Sequence, residues 1–259
     1  MFQIDLSGKT VLITGASSGI GLGVAKMLAK AGANISGCGL ENNGSEFINE
    51  VENQGGQAQY SICDVTKKEE LQKLVQDTIE KFGQIDILIS NAGGNIFEGL
   101  EDCDDEHWTQ NIDLNLASHW RLAKLCKPYL QKNNGVIIIM TSNHAYSSIP
   151  GCFPYNVAKT ALTGLVRSMA IEWSPEIRTV GLAPGFIDTP GNQAWFNSFP
   201  DPQKERTRTV NMHPVKKLGT TDEIGAWCVF LASSYAAFAS GTTYLIDGGR
   251  SALMQENSI

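Results

Sequence analysis

The sequence predicts an α/β fold, in which a doubly wound parallel sheet of seven strands forms a single domain over residues 1–259. Two observations support this fold class. Short apolar runs alternate with longer stretches of helical periodicity, which is typical of parallel strands whose crossover helices cover both faces of the sheet. No internal repeat or low-complexity linker divides the chain, whose length suits one large domain.

The elements follow one another regularly from the N-terminus. The first strand is the apolar run 11–14, which enters a glycine-rich turn and is therefore predicted to be buried. The helix after it spans 20–30, and the second strand, 35–39, is weaker because it contains two glycines. Further strands are predicted at 58–62, 85–89, 136–140, 177–182 and 243–246, and further helices at 45–53, 67–82, 106–132, 155–173 and 222–233.

One long segment, 187–213, shows neither a strand nor a helix pattern and lies between the sixth strand and the last helix. Loops of this length in a compact domain are usually functional or disordered. We therefore predict that this segment is an irregular, mobile lid that becomes ordered when ligand binds.

The composition excludes several classes of partner. The net charge is −7 and there is no basic run, so nucleic acid is not expected to bind. No apolar stretch approaches the roughly 20 residues that span a bilayer, and the N-terminus lacks the features of a signal peptide, so no membrane contact is predicted. Six scattered cysteines indicate reduced thiols in a cytoplasmic protein, and the four histidines lack the spacing of metal ligands.

The turn after the first strand reads Thr14-Gly15-Ala16-Ser17-Ser18-Gly19-Ile20-Gly21. Glycines let such a turn close and let a phosphate approach the backbone, while the helix N-terminus offers N–H groups and a positive dipole end. The spacing G-x-x-x-G-x-G differs from the common G-x-G-x-x-G, and a tight turn with close helix packing is the alternative. Its position directly after an N-terminal strand favours nucleotide binding.

Tyr155 and Lys159 lie four residues apart and therefore on one face of a helix. The neighbouring ammonium is expected to lower the pKa of the phenol from its usual value of about 10, so that the phenol can exchange a proton near neutral pH. If the pair stood alone, an amphipathic helix with one aromatic residue and one solvated lysine would be the more common explanation.

Several motifs stand in order along the chain, from Lys9 to Gly249. They are Gly15, Gly19, Gly21, Asn91-Ala92-Gly93, Asn115, Ser142, Tyr155 and Lys159. Together they resemble the short-chain dehydrogenase/reductase family in its single-domain form, whose fold is Rossmann-type. The resemblance implies hydride transfer between a nicotinamide cofactor and a carbinol or carbonyl group, and assembly into a homotetramer.

The resemblance also implies residue roles. Tyr155 would be the general acid or base, Lys159 would in addition hold the nicotinamide ribose, and Ser142 would stabilise charge on the reacting oxygen. Asn115 would hold a water molecule in a proton relay, although an amide that kinks its helix is the alternative. The implied cofactor-binding residues are Gly15, Ser17, Ser18, Gly19, Ile20, Gly21, Leu40, Asp64, Val65, Asn91, Ala92, Gly93, Tyr155, Lys159, Pro184, Gly185, Ile187 and Thr189.

The end of the second strand bears on the choice between NAD and NADP. Relatives carry an acidic residue for NAD or a nearby arginine for NADP about here, but neither stands at Gly39 or Leu40. No lysine or arginine occurs between Lys30 and Lys67, so a 2′-phosphate would find no cationic partner in that stretch. We therefore predict NAD, with Glu41 accepting from the ribose 2′-hydroxyl, although Ser17 or the Leu40 backbone could serve either cofactor.

The predicted substrate residues are Asn95, Ser142, His144, Phe153 and Trp195. A lining of amide and aromatic side chains suits a small polyol or sugar, and the segments 184–202 and 246–251 resemble bacterial sugar dehydrogenases of the same family. For His144 the alternative is a loop histidine in water, and for Trp195 it is ordinary packing of the lid.

Two other functions compete with a sugar or sugar-acid dehydrogenase. A reductase of 3-oxoacyl groups on acyl carrier protein needs a basic patch for its acidic partner, for which Lys204, Arg206 and Arg208 are the candidates. A nucleotide-binding regulator without catalysis is the third hypothesis, and the complete set of Asn115, Ser142, Tyr155 and Lys159 argues against it.

Overall fold

The computed structural model describes residues 3–253, and its centre is one seven-stranded parallel sheet. The strands are β1 (Thr10–Thr14), β2 (Asn34–Gly39), β3 (Ala58–Ile62), β4 (Ile87–Ser90), β5 (Val136–Met140), β6 (Arg178–Pro184) and β7 (Thr243–Ile246). Their spatial order is β3-β2-β1-β4-β5-β6-β7, so the direction of winding reverses between β1 and β4. This confirms the predicted doubly wound fold and places a crevice at the carboxyl ends of β1 and β4.

Helices cover both faces of the sheet. They are α1 (Gly19–Lys30), α2 (Gly44–Glu52), α3 (Lys68–Phe82), α4 (Asp105–Ile112), α5 (Ser118–Lys132), α6 (Tyr155–Trp173), α7 (Pro190–Asn197), α8 (Pro202–Asn211) and α9 (Thr221–Ala232). Alternate residues of β1 supply two separate cores, because side chains of a strand point to opposite faces. Val11 and Ile13 pack with α1, α2 and α9, whereas Leu12 packs with α3, α5 and α6.

The helix predicted at 106–132 is interrupted by a π-helical turn, Asp113–Ala117, which separates α4 from α5. Asn115 lies in this turn and is fully buried. Its Oδ1 accepts from the Gly94 N–H at 3.1 Å and its Nδ2 donates to the Gly94 carbonyl at 3.1 Å. Such turns recur at functional sites, and here the turn directs an amide towards the segment after β4.

The segment 187–213 is mostly helical, so the prediction of an irregular loop was wrong. It contains α7 and α8, and each begins with a capping side chain followed by proline. Thr189 Oγ1 accepts from the Asn192 N–H at 3.3 Å, and Asp201 Oδ1 accepts from the Lys204 N–H at 3.0 Å. A capping residue followed by proline is a sequence signal for a helix start, so both helices could have been predicted.

All six cysteines are free thiols, and five of them are buried. Within the described range 3–253, no helix is long and apolar enough to cross a membrane.

Candidate active site

A cavity of about 780 Å³ opens at the carboxyl ends of the central strands, between the glycine turn and helices α7 and α8. Ligands of doubly wound folds bind at this place, where the strand order reverses. The structure brings most of the predicted site residues together here. The cavity is lined by Gly15, Ser18, Gly19, Ile20, Gly21, Asn91, Ala92, Gly93, Asn95, Ser142, His144, Tyr155, Lys159, Pro184, Gly185, Ile187, Thr189 and Trp195.

The glycine turn is held tightly against the segment that follows β4. Gly15 has a φ of 63°, and a Cβ on it would lie 3.0 Å from the Cα of Ala92. A Cβ on Gly21 would overlap the carbonyl oxygen of Gly15. Asn91 Nδ2 donates to the carbonyls of Thr14, at 2.9 Å, and Gly15, at 3.1 Å. Only glycine fits these positions, and the close packing fixes the course of the backbone at the cavity wall.

The N-terminus of α1 forms part of the same wall. Ser18 is the N-cap, and its side chain makes no capping hydrogen bond to the first turn. The N–H groups of a first helical turn have no partners within the helix, and the helix dipole is positive at this end. The turn therefore presents a site for a pyrophosphate, so that a dinucleotide cofactor fits the residues present.

Tyr155 and Lys159 occupy consecutive turns of α6, and both are buried. Lys159 Nζ lies 5.6 Å from the centre of the Tyr155 ring and donates to the Met140 carbonyl at 3.2 Å. Burial lowers the pKa of Lys159 to about 8 and raises the pKa of Tyr155 to about 12. The predicted fall of the phenol pKa below its usual value was wrong, because burial, which disfavours the charged form, is the largest influence on the pKa of Tyr155.

Ser142 lies two residues beyond the end of β5 and caps a short 3₁₀ turn, Asn143–Ala145. Its Oγ accepts from the His144 N–H at 3.1 Å, which fixes the serine side chain towards the cavity. A hydrogen bond with Ser142 opposes the rise in the pKa of Tyr155, so the two hydroxyl groups are neighbours. The hydroxyl groups of Ser142 and Tyr155 can therefore both hydrogen-bond to the same oxygen atom of a ligand.

Asn115 does not line the cavity but lies directly behind it. A Cβ on Gly93 would lie 2.8 Å from Asn115 Oδ1 and 3.2 Å from Lys159 Nζ. The side chains of Asn115 and Lys159 therefore both lie close to the Cα of Gly93. A larger residue at position 93 would push both side chains away from this point. Both interpretations of Asn115 made from the sequence, the amide that holds a water molecule in a proton relay and the amide that kinks its helix, are compatible with this geometry.

Besides Asn115, five predicted residues lie outside the cavity lining. Leu40 is 68% exposed at the end of β2. Asp64 Oδ1 accepts from the Thr66 N–H at 2.9 Å and from the Thr66 hydroxyl at 2.7 Å, so it stabilises the turn before α3. The Phe153 ring stacks on Trp108 with the ring centroids 5.6 Å apart, and Phe153 is not among the residues that line the cavity. The other two are Ser17 and Val65.

The Glu41 carboxylate lies close to Gly39, at the end of β2. Ser17 Oγ donates to Glu41 Oε2 at 2.6 Å, and this hydrogen bond holds the pKa of Glu41 below its usual value. A Cβ on Gly39 would lie 2.6 Å from the Tyr60 hydroxyl oxygen, 2.9 Å from Ser17 Oγ and 3.0 Å from the same carboxylate oxygen. These three groups together fill the space beside Gly39.

Aromatic rings surround the tyrosine on the side away from the glycine turn. Phe97 and His144 meet the Tyr155 ring edge-on, with centroids 5.4 Å and 6.0 Å away. His144 is partly buried rather than a loop side chain in water, and burial lowers its pKa. Its Nδ1 lies 3.2 Å from the Sγ of Cys152.

Several lining residues were not predicted from the sequence: Phe97, Phe186, Thr209, Met212 and Arg250. Arg208 also lines the cavity, and the sequence indicated it only as part of a basic patch for an acidic partner. Arg250 follows the last strand directly, at the carboxyl edge of a parallel sheet, and that position is a signal that could have found it. Arg208 lies on α8, within the segment that was predicted to be irregular. Phe97 carried no signal, because its position depends on an isolated bridge to Pro154.

The chain is similar to oxidoreductases throughout its length. A family model described as enoyl-(acyl carrier protein) reductase matches residues 15–251. L-fucose dehydrogenase of Oryctolagus cuniculus is 34% identical over 246 residues, which cover 94% of this chain and 85% of that protein. The ligand-free structure of aldohexose dehydrogenase from Thermoplasma acidophilum has a TM-score of 0.89 at 26% identity, over 100% of both chains. A 7α-hydroxysteroid dehydrogenase complexed with NADH and 7-oxo glycochenodeoxycholic acid has a TM-score of 0.88 at 32% identity, over 96% of this chain and 98% of that chain.

The strand order and the glycine turn define a dinucleotide-binding α/β protein. With a family model matched over residues 15–251, the chain belongs to the short-chain dehydrogenase/reductase family of oxidoreductases.

Proposed function

We propose that the protein moves a hydride between a nicotinamide cofactor and the carbinol or carbonyl group of a small polar substrate, a sugar or a sugar acid. The observation that carries this proposal is the convergence of Tyr155, Lys159 and Ser142 on one cavity beside the glycine turn. The similarity to L-fucose dehydrogenase and to an aldohexose dehydrogenase supports the choice of substrate class.

The chain's own residues would divide the work as follows. The first turn of α1 with Gly15 and Gly19 would hold the pyrophosphate, and Lys159 would hold the nicotinamide ribose. The nicotinamide supplies or accepts the hydride when it is bound. Tyr155 would give or take the proton at its phenolic oxygen, and Ser142 would donate a hydrogen bond to the same substrate oxygen. The Lys159 ammonium would favour the phenolate whenever Tyr155 has lost its proton.

The decisive assay follows NADH formation with the purified protein over a panel of aldoses, sugar acids and simple secondary alcohols. Turnover of sugars or sugar acids is expected. If the protein binds the cofactor but oxidises no member of the panel and reduces none of the matching carbonyl compounds, the regulatory hypothesis replaces the dehydrogenase.

The acyl carrier protein hypothesis receives some support from the description of the matching family model. It needs free basic charge near the entrance, but Arg206 pairs with Asp188 and Arg208 with Glu205. These carboxylates balance two of the three candidate charges, so the lid does not offer the basic patch that an acidic partner protein requires. The geometry therefore favours a small-molecule substrate, and a 3-oxoacyl-carrier substrate belongs in the panel as the competing arm.

We further propose that NAD is the preferred cofactor, and we expect kcat/KM to be at least about tenfold higher with NAD than with NADP. The Glu41 carboxylate, fixed by Ser17, would accept from a ribose 2′-hydroxyl and repel a 2′-phosphate. Replacing Glu41 with glutamine should reduce this preference, because the charge is lost while the size is kept. The measurement is kcat/KM for both cofactors with one substrate at fixed salt.

Glu46→Gln is the matched control for the cofactor experiment. Glu46 is an exposed acid in the first turn of α2, so its loss removes the same charge from the same region without touching Ser17. A preference of tenfold or more for NADP in the unmodified protein would overturn the NAD proposal. If both substitutions changed the preference for NAD equally, Glu41 would have no specific role in that preference.

We also propose that α7 and α8 form a mobile lid that ligand orders, and we expect slower amide hydrogen exchange in both helices when cofactor and substrate are bound. Asp188, in the loop after β6, binds Arg206 of α8 and Gln193 of α7, so one carboxylate ties the two helices to the sheet. Arg206→Ala should therefore speed exchange in the free protein. Equal protection of α7 and α8 with and without ligands would contradict the lid.

A further inference from the structure

His144 lies next to the two hydroxyl groups that would hold the reacting oxygen. Its backbone N–H donates to Ser142 Oγ at 3.1 Å, and its ring meets the Tyr155 ring edge-on with the centroids 6.0 Å apart. The His144 side chain is half-buried and lines the cavity. A polar group of this ring is therefore close to the place where the substrate would react.

The direction of the His144 ring is set by Cys152. Nδ1 of His144 lies 3.2 Å from Sγ of Cys152, a residue that is 2% exposed and does not line the cavity. The Cys152 carbonyl accepts from the Asn156 N–H at 3.2 Å, so the first turn of α6, the helix of Tyr155, holds this residue in place. The two nitrogens of an imidazole point to different sides of the ring. Since Nδ1 is turned to a thiol behind the wall, Nε2 faces the cavity, and no group of residues 3–253 hydrogen-bonds to it.

The thiol also decides which nitrogen of the ring carries the hydrogen. Burial raises the pKa of Cys152, so its sulfur is protonated at neutral pH. Burial, followed by the charge of Arg250, lowers the pKa of His144, so the ring is neutral there and has a single N–H group. A thiol sulfur is a weak acceptor, whereas an imidazole nitrogen accepts well. The favoured arrangement is therefore donation from the thiol to Nδ1, which places the ring hydrogen on Nε2.

The Nε2–H group needs an oxygen of the substrate other than the reacting one. A carbonyl oxygen has two lone pairs, and the hydroxyl groups of Tyr155 and Ser142 would occupy both. A substrate with only carbon and hydrogen beside the reacting centre would leave the Nε2–H group without a partner in a half-buried place, which costs free energy. An oxygen on the carbon next to the reacting carbon would satisfy this donor.

We propose that the Cys152 thiol fixes His144 as a hydrogen-bond donor through Nε2, and that this donor selects substrates with an oxygen on the carbon adjacent to the reacting one. Such substrates are vicinal diols, which include sugars, and α-hydroxy carbonyl compounds. The inference rests on the proposed dehydrogenase function and narrows its substrate class. It disfavours simple secondary alcohols and also 3-oxoacyl groups, whose second oxygen is one carbon further away. Cys152 is a positioning residue in this arrangement, whereas His144 contacts the substrate.

The kinetic test compares substrates that differ in the adjacent oxygen: meso-2,3-butanediol with 2-butanol, and L-fucose with 2-deoxy-L-fucose. In the unmodified protein, kcat/KM for at least one pair should be about tenfold higher for the member with that oxygen, as expected when a polar group loses its only partner. His144→Phe keeps an aromatic ring against Phe97 and Tyr155 but has no N–H group, so it should bring this ratio close to one.

Substitutions of Cys152 test its positioning role. Cys152→Ala removes the donor to Nδ1 and should lower the ratio at least about threefold, whereas Cys152→Ser should restore most of it because a hydroxyl group also donates. Cys126→Ala is the matched control, since Cys126 is a buried thiol of α5 outside the cavity lining, and it should keep the ratio of the unmodified protein. If Cys152→Ala keeps that ratio as well, the inference is overturned and the dehydrogenase stands.

A measurement without turnover separates this inference from the proposed function. Long-range nitrogen–proton NMR distinguishes the two neutral forms of histidine, and His144→Phe identifies the signals of residue 144 among the four histidines. At pH 7.5 the hydrogen should be on Nε2, and the Nε2 signal should shift when meso-2,3-butanediol or L-fucose is added to the NADH complex. If the signal shifts but no substrate is turned over, the donor site stands and the dehydrogenase assignment fails. If the hydrogen is on Nδ1, or neither compound shifts the signal, the inference is overturned whether or not substrates are turned over.

Discussion

Replacing Tyr155 with phenylalanine is expected to lower kcat by about 10² to 10⁴, the usual contribution of a positioned acid or base. The substitution removes only the phenolic hydroxyl, while the ring keeps its edge-on contacts with Phe97 and His144. Cofactor affinity should therefore stay close to that of the unmodified protein. Steady-state kinetics give kcat, and a fluorescence titration with NADH gives the dissociation constant of the cofactor.

Tyr146→Phe is the control for this experiment. Tyr146 is about half exposed and its hydroxyl donates to the Thr243 carbonyl at 3.2 Å, outside the cavity lining. It should therefore keep its activity. If Tyr155→Phe kept more than about a tenth of the kcat of the unmodified protein, Tyr155 would not be the acid or base.

The strands could be predicted well because a strand buried on both faces leaves a continuous apolar run. β5, Val136–Met140, has the bounds that its sequence indicated, and all of its residues are buried. The π-helical turn at Asn115 could not be predicted in the same way. It depends on hydrogen bonds with the backbone of Gly94, more than twenty positions away, and periodicity within one helix carries no information about such a partner.

For the site, the sequence indicated those residues whose position follows from strand ends and from a helical spacing. Ser142, Tyr155 and Lys159 belong to this group, and the structure brings them to one cavity. Arg208 and Arg250 do not, because the tertiary fold alone brings α8 and the segment after β7 together. The direction of the Tyr155 pKa shift could not be predicted from the sequence either. It depends on how deeply the phenol is buried, whereas the spacing to Lys159 shows only that a charge is near.

Replacing Lys159 with methionine is expected to reduce kcat and to raise KM for the cofactor together, since the ammonium is assigned both to the phenolate and to the ribose. Burial raises the pKa of Tyr155 to about 12. We expect the neighbouring ammonium to make the phenolate less unfavourable, because an opposite charge favours the ionised form. Without that charge, the part of the pH–rate profile governed by Tyr155 should move to higher pH. If Lys159→Met kept full activity and an unchanged pH–rate profile, Lys159 would have only a structural role.

The same substitution has a consequence for stability that can be measured without any substrate. Burial lowers the pKa of Lys159 from 10.5 to about 8 in the folded protein, so charging this lysine costs the folded state free energy at neutral pH. Between about pH 8 and 10.5 the unfolded chain holds this proton and the folded protein does not, so the free energy of unfolding gains about 3 kcal/mol from this group as the pH rises through that window.

Lys159→Met should lack this gain, whereas Lys132→Met, which changes an exposed lysine at the end of α5, should keep it. Urea unfolding of the three proteins at pH 7.5, 9 and 10.5 measures the difference, and titrations shared by all three cancel in the comparison. Equal pH dependence in Lys159→Met and the unmodified protein would show that burial does not lower the pKa of Lys159.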